Sequence, residues 1–582
     1  MTAGNGPVGA EAGRGRMRAA AFRRTDLRPL AVAALVWAVM AVPLVALLAI
    51  AASAVGATWP HLLRSVLPGA TVTTLLLMAG VGLLTAVTGV GTAWLVAVCR
   101  FPGRRALEWA LVLPLAIPTY LVAFAYMEIF DYTGPVQGAV RALFGFHTAR
   151  EYWFPEIRSL PGAIFAMSAV LYPYVYLTTR ILFLMQSARV MEVARTLGAT
   201  PWRLFLRIAL PMARPAIAVG VSLALMETIN DIGAVDFFGV RTLTFAVYHT
   251  WLNRADLAGA AQLALVLLLL VLLLIYAERS ARGRQRFHAA FGGQEPAPTF
   301  VLEGWRAFGA AAACFVPVAI GFLMPAALLA DYATRRMEQF LDPAILDAAL
   351  HSVTLAAATA VATVLVAFAL AYAARLSRLG AVGLFARLAA TGYAVPGTVL
   401  AVGILIPMAA LDNRIDAAAR ALFGVSTGLL VTGSGAAIVY ACSVRFLAIA
   451  YGSLDAGFTK ISRHLDMVAR TFGRRPGRIL AEIHLPLMRR AMTAAALLVF
   501  VDTMKELSAT VLLRPFDFET LATLVYGAVA RGAFEDAAPA ALVIVAIGVL
   551  PLVLLLGSGL EGAAGSGRRS GDQADRSSGM SR

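Results

Sequence analysis

Glu192-Val193-Ala194-Arg195-Thr196-Leu197-Gly198, running on to Ile208-Ala209-Leu210-Pro211, returns later in the chain as Met467-Val468-Ala469-Arg470-Thr471-Phe472-Gly473 and Ile483-His484-Leu485-Pro486. In both copies nine residues separate the glycine from the isoleucine, and the two prolines lie 275 positions apart. In the first copy, residues from Gln186 to Leu197 are good helix formers, and Gly198 can take the left-handed conformation that ends a helix. Thr200 offers an N-cap oxygen and Pro201 suits the first helical position, so a second short helix carrying Trp202, Phe205 and Leu206 is predicted. The product is a helix–turn–helix whose Ile-x-Leu-Pro end leads into a long apolar segment, so that a push on the loop moves the segment.

Around these copies the chain is 60% apolar and only 14% charged over 582 residues, with a mean hydropathy of +0.77. That leaves too few polar side chains to clothe a soluble globule of this size, and the chain is read as living in lipid. Its net charge of +16 does not point to nucleic acid, because most arginines collect between the apolar segments, where they set orientation. Cys99, Cys314 and Cys442 fall in or beside apolar segments at wide spacing, which gives neither a disulfide framework nor a zinc site.

Residues 1–29 read as a cytoplasmic tail, 30–277 as a first membrane domain, 278–306 as a cytoplasmic linker, 307–558 as a second membrane domain and 559–582 as a disordered cytoplasmic tail. The run from Leu30 to Gly56 is about twice an ordinary signal-peptide core, so it is read as an uncleaved first span. Spans are expected near 30–56, 70–99, 106–130, 161–185, 212–233 and 257–277, then near 308–331, 350–374, 383–411, 427–452, 490–511 and 536–558. The fold class is therefore all-α, a polytopic membrane protein of about 12 helices in two homologous six-helix halves. Continuous apolar runs, without alternation, favour helices over a barrel. Prolines 114, 118, 173, 396 and 407 are expected to kink their spans. Arginine clusters fall in alternate loops, which puts both termini, and both copies of the repeated element, in the cytoplasm.

Beyond each copy comes a segment with carboxylates four residues apart: Glu227 and Asp231, then Asp502 and Glu506, again related by 275 positions. On a continuous helix that spacing stacks both groups on one face. Ionisable groups at this depth normally face a cavity, a pathway or a partner charge. Three readings stay open: the carboxylates line a path and meet a hard cation, with Glu227, Asp231 and Glu506 as candidate metal ligands; they form a gate between the halves, with Lys505 reaching across; or they lie near the outer surface and are solvated. Arg180 and Arg445 pose a similar choice between a buried carboxylate partner and snorkelling to the cytoplasmic surface, and their long stems favour snorkelling.

The chain has only two lysines, Lys460 followed by Ile461 and Lys505 followed by Glu506, so it cannot build a Gly-Lys-Ser/Thr phosphate loop. It also lacks a Gly-x-Ser-x-Gly elbow and a His-Glu-x-x-His metal helix, and no enzyme chemistry is expected. The repeated element resembles the EAA signature of binding-protein-dependent ABC importer permeases. The first copy has Glu192, Ala194, Gly198, Ile208, Leu210 and Pro211 in place. The second keeps Ala469, Gly473, Ile483, Leu485 and Pro486, with Met467 at the glutamate position, Asp466 one residue earlier, and Arg475 where the first copy has Thr200. The resemblance implies a type I ABC importer permease fold in the bacterial inner membrane. It also implies a cytoplasmic ABC ATPase dimer carrying ATP and Mg, a periplasmic solute-binding protein, no cofactor in this chain, and alternating access.

Residues 225–250 and 502–526, together with the fused two-half layout, look like ferric iron permeases, which implies iron(III) as solute. Thiamine, phosphonate, sulfate and polyamine permeases share the architecture. A secondary transporter driven by an ion gradient also uses internal repeats and midplane charges, and only the EAA-like loops separate the two classes.

Overall fold

In lipid every backbone polar group must be paired within the protein, and helices meet that demand locally. The structure, a computed structural model, describes residues 9–53, 59–185, 200–282, 300–377 and 379–550. The described residues are mostly helical, with one two-residue parallel pairing of Cys99–Arg100 on Phe300–Val301. Among them, ten helices are long and apolar enough to cross a membrane, or eleven when the bent pair Arg104–Ala116 and Thr119–Phe144 counts as one span. The protein is thus an all-α polytopic membrane protein. The twelfth expected span, 536–558, is helical from 534 to 550 and there leaves the described residues.

Two expected spans are not straight. The stretch expected as one span over 106–130 bends by 94° between Arg104–Ala116 and Thr119–Phe144. Proline removes an N–H and pushes the residue before it out of helical geometry. Ile117 (ψ 124°) and Val395 (ψ 120°) are accordingly extended, and new helices start after Pro118 and Pro396. Pro173 and Pro407, in contrast, sit inside continuous helices, Leu160–Met185 and Gly397–Phe423.

The chain forms two compact units, and they do not coincide with the sequence halves 30–277 and 307–558. One unit is Met1–Ala54, Ser352–Thr503 and Leu512–Phe518. In it the N-terminal helix, Gly9–Ser53, packs on Gly380–Ala389 and Gly397–Phe423. Pro43 cannot donate to the carbonyl of Val39, and the Tyr440 hydroxyl donates to that carbonyl at 2.5 Å instead. The helices touch where Gly403 has no side chain, since a Cβ there would lie 2.1 Å from the Pro43 carbonyl oxygen.

The other unit is Val55–His351, Met504–Val511 and Glu519–Arg582. Its described helices include Leu67–Val98, Leu160–Met185, Leu210–Asn230 and Leu257–Arg282, and against the first two of these and Arg104–Ala110 lies the stretch Gly304–Leu323 that opens the second sequence half. That stretch is anchored at its start by the short parallel pairing, continued by Leu302 N–H to the Arg100 carbonyl (2.9 Å). Further on, a π turn at Ala319–Leu323 leaves the Ile320 carbonyl five residues ahead of Pro325, and the Tyr126 hydroxyl takes it at 2.7 Å. The first helix of each sequence half thus packs with spans of the other half. Cys99, Cys314 and Cys442 are buried, and no disulfide joins them.

Replacing Gly403 by alanine should destabilise the detergent-solubilised protein by about 1–3 kcal/mol, because backbone must move to admit the methyl group. Gly91→Ala, where nothing lies within 4 Å of the added Cβ, should leave the melting temperature equal or higher. Parallel thermal unfolding of the two variants checks the pair.

Candidate functional site

The second copy of the repeated element is described throughout, whereas Glu192, Ala194 and Gly198 of the first lie outside the described residues. Ser462 caps the helix Arg463–Thr471 by accepting the His464 N–H at 3.2 Å. The helix stops in a Schellman turn: Gly473 takes φ +74°, Arg474 N–H reaches the Ala469 carbonyl (3.0 Å) and Gly473 N–H the Arg470 carbonyl (3.0 Å). A turn of helix, Pro476–Ile479, and one π turn, Leu480–His484, then lead into Leu485–Met504.

From Pro201 onward, where it is described, the first copy matches the second element by element. Its helical turn is Pro201–Leu204, its π turn Phe205–Ala209, and its following helix begins at Leu210, each start 275 positions before its counterpart. Thr200 accepts the Arg203 N–H at 3.4 Å, as its N-cap role predicts, while at the other copy the Arg475 carbonyl takes the Arg478 N–H (3.0 Å). Ile208 and Ile483 are half-buried where the π turns join the long helices, with Pro211 and Pro486 three residues on.

The helix Arg463–Thr471 is amphipathic in an uncommon way. Ala469 is buried, while Leu465, Met467, Val468 and Phe472 are exposed, Phe472 by 79%. Asp466 faces inward instead. Its Oδ2 accepts from Arg375 Nε (3.1 Å) and lies 3.0 Å from Nη2, and its Oδ1 lies 2.7 Å from His484 Nε2.

The carboxylates beyond the two elements do not share one helical face. The helix Leu210–Asn230 ends before Asp231, and Leu485–Met504 ends before Glu506. Each of these two acids caps the break: Asp231 Oδ1 accepts from Ala234 N–H at 2.9 Å, and Glu506 Oε1 from Ala509 N–H at 3.0 Å. Asp231 Oδ2 also accepts from the Thr119 hydroxyl. The i, i+4 expectation fails because it assumed helix through both positions, whereas the backbone leaves helical geometry at Asp231 (ψ 105°).

Met504–Val511 belongs to the same unit as the first break, and there the two breaks meet. Ser508 donates to the Asn230 carbonyl at 2.6 Å. Gly233 admits both Leu507 and the Tyr120 ring, each 2.7 Å from where its Cβ would be. Tyr120 is buried, its hydroxyl has no hydrogen-bond partner among the described residues, and it lies within electrostatic reach of Asp231 and Glu506. Glu227, Asp502 and Lys505 are half-buried. Among the described residues no three His, Cys, Asp or Glu side chains come together to hold a metal ion, so Glu227, Asp231 and Glu506 do not form a ready-made cage.

Arg180 and Arg445 do not snorkel. Arg180 pairs with Glu108, and Arg445 is buried with its guanidinium 5.3 Å from the Phe446 ring centroid.

The family model of the binding-protein-dependent transport system inner membrane component matches residues 86–280, a stretch holding the whole first copy and its break. A match of 26% identity over 489 residues, 83% of this chain and 88% of the relative, joins it to the Fe(3+)-transport system permease protein FbpB 2 of Haemophilus influenzae. The chain is a binding-protein-dependent transport permease. Two Escherichia coli K12 relatives cover about one half-repeat of this permease: the molybdenum transport system permease protein ModB, 29% identical over 33% of this chain and 84% of its own, and the sulfate transport system permease protein CysT, 29% over 34% and 70%.

Reading the permease sequence missed Thr119, Tyr120, Arg375, His484 and Ser508 as members of these two sites. A signal existed for one of them: His484, like the already noted Asp466, departs from the repeat, the first copy having Ala209 and Met191 at the matching positions. Asp231→Ala should lower thermal stability by about 1–3 kcal/mol, since it strands the Ala234 N–H and the Thr119 hydroxyl. Asp231→Asn, which keeps an acceptor, should lose less; equal losses in unfolding scans would argue against capping.

Proposed function

We propose that this permease imports iron(III) delivered by a periplasmic binding protein, driven by a separate cytoplasmic ATPase dimer that docks on the elements at 186–210 and 460–486. The observation that carries the coupling role is the recurrence of helical turn, π turn and long helix at a constant 275-residue offset. The exposed apolar face of Arg463–Thr471 ahead of it suits a protein partner better than solvent. An element that runs without a flexible joint into a long helix transfers displacement rather than absorbing it. Both termini are read as cytoplasmic, on the alternation of basic loops.

The meeting of the two breaks is read as the gate. Helix ends held by side-chain caps, rather than by continuous helical hydrogen bonds, can part and re-form as the long helices tilt. Its acids also favour a solute class: Asp231 and Glu506 within reach of each other would repel molybdate and sulfate and attract a hard cation. The relative matched over 83% of this chain is named for Fe(3+) transport. Oxyanion import is the second reading, on the half-length relatives named for molybdenum and sulfate.

Proteoliposomes holding the permease with its ATPase and binding protein should take up radiolabelled iron(III) and not molybdate or sulfate; uptake of either oxyanion in place of iron would reverse the assignment. Asp231→Asn combined with Glu506→Gln should cut iron uptake at least about tenfold while binding-protein docking persists. Gly473→Pro cannot adopt φ +74° and loses the bond to Arg470, a penalty of about 3 kcal/mol or more, so uptake should vanish while membrane insertion survives.

A further inference from the structure

Arg375 is the penultimate residue of the helix Pro343–Leu376; its side chain is only 6% exposed, and its guanidinium makes four hydrogen bonds besides its ion pair. Nε donates to Asp466; Nη1 serves the carbonyls of Phe458 (2.9 Å) and Ile461 (3.1 Å); Nη2 reaches the Ser462 carbonyl (3.4 Å) and lies 3.0 Å from Asp466 Oδ2. The guanidinium lies 5.6 Å from the Phe458 ring centroid. On the other side of Asp466, His484 is 1% exposed and set edge-on against Tyr372 (5.6 Å) and Phe458 (5.8 Å). An ionised carboxylate only accepts, so His484 Nε2 donates.

Asp466 therefore joins three segments: the first turns of the exposed helix Arg463–Thr471, the end of Pro343–Leu376, and the π turn that opens Leu485–Met504. Charge-assisted bonds in a buried setting, here to both oxygens of one carboxylate from two different segments, are the stiff kind. The repeat provides an internal comparison. At the 275-residue offset Arg375 matches Arg100, but Asp466 matches Met191, His484 matches Ala209 and Tyr372 matches Ala97. The first copy keeps the arginine and, as Phe183, the phenylalanine, but not the acid, the histidine or the tyrosine, and its Arg100 backbone pairs with Phe300–Leu302.

We propose that Asp466 is a positioning residue, an internal tie and not an ATPase contact, which makes the second coupling element a stiff lever built on side chains that the first copy does not repeat at the matching positions. This rests on the coupling reading above. In the same proteoliposomes, with iron(III) on the binding protein as probe, Asp466→Asn and His484→Ala lower iron imported per ATP hydrolysed about tenfold, while the ATPase still copurifies. His484→Gln, which restores a side-chain N–H, recovers most of the ratio.

A nitroxide on Val468→Cys, where the three buried native cysteines do not compete, passes from an immobilised to a mobile line shape when Asp466→Asn is added, with no ATPase present. An unchanged line shape together with an unchanged uptake ratio overturns the proposal. So does an unchanged line shape with loss of the bound ATPase, which would make Asp466 a docking contact. Failure of the unaltered permease to hold any ATPase overturns the coupling reading and this proposal with it, even when the label becomes mobile.

Discussion

A backbone that leaves helical geometry inside lipid frees N–H and C=O groups that water cannot reach, and this permease is shaped by how it pairs them. Asp231 and Glu506 serve the N–H groups of the helical turns that follow them. Ser508, Tyr126 and Tyr440 serve carbonyls released at a break, at a π turn and at a proline. Each irregularity is thereby held by a few side-chain bonds, which makes it both tolerated and open to rearrangement. Helices without such points would be rigid rods unable to change the width of a path between them.

The same demand explains the close contacts. Small residues stand where a helix meets the irregular part of another: Gly403 against Pro43, Gly321 against the Ala169 carbonyl, Gly233 against Leu507 and Tyr120. Packing between spans has no hydrophobic driving force in lipid, so it relies on close approach and on a few polar bonds. Packing of the opening helix of each sequence half with spans of the other half extends these contacts beyond a single repeat.

The repeated element obeys different physics. The helix Arg463–Thr471 is capped at both ends by local hydrogen bonds, and it exposes an apolar stripe, Leu465, Val468 and Phe472, beside the exposed Arg470. The charges that a soluble helix would show to water are partly turned inward: Asp466 is held by Arg375 and His484. The element is thus built to be covered on one side and fastened on the other.

Much of this could be read from residue types alone. Helix ends at Gly473, the cap at Thr200, the helical class and the repeat follow from short-range rules, because each depends on neighbours within a turn or two. The spacing of Glu227 with Asp231, and of Asp502 with Glu506, misled for the same reason: local pattern assumes a continuous helix, and the breaks are stabilised by Thr119 and Ser508, more than 100 positions away in sequence from what they bond. Snorkelling of Arg180 was the better local guess until Glu108, 72 positions away, supplied a partner. Sequence by itself determined the lipid habitat, the helices and the repeated element, since composition and periodicity act over a few residues. Only the tertiary structure decided which acids cap, which arginines are tied, and with which half each opening helix packs, because those outcomes depend on pairings between groups that chain order does not bring together.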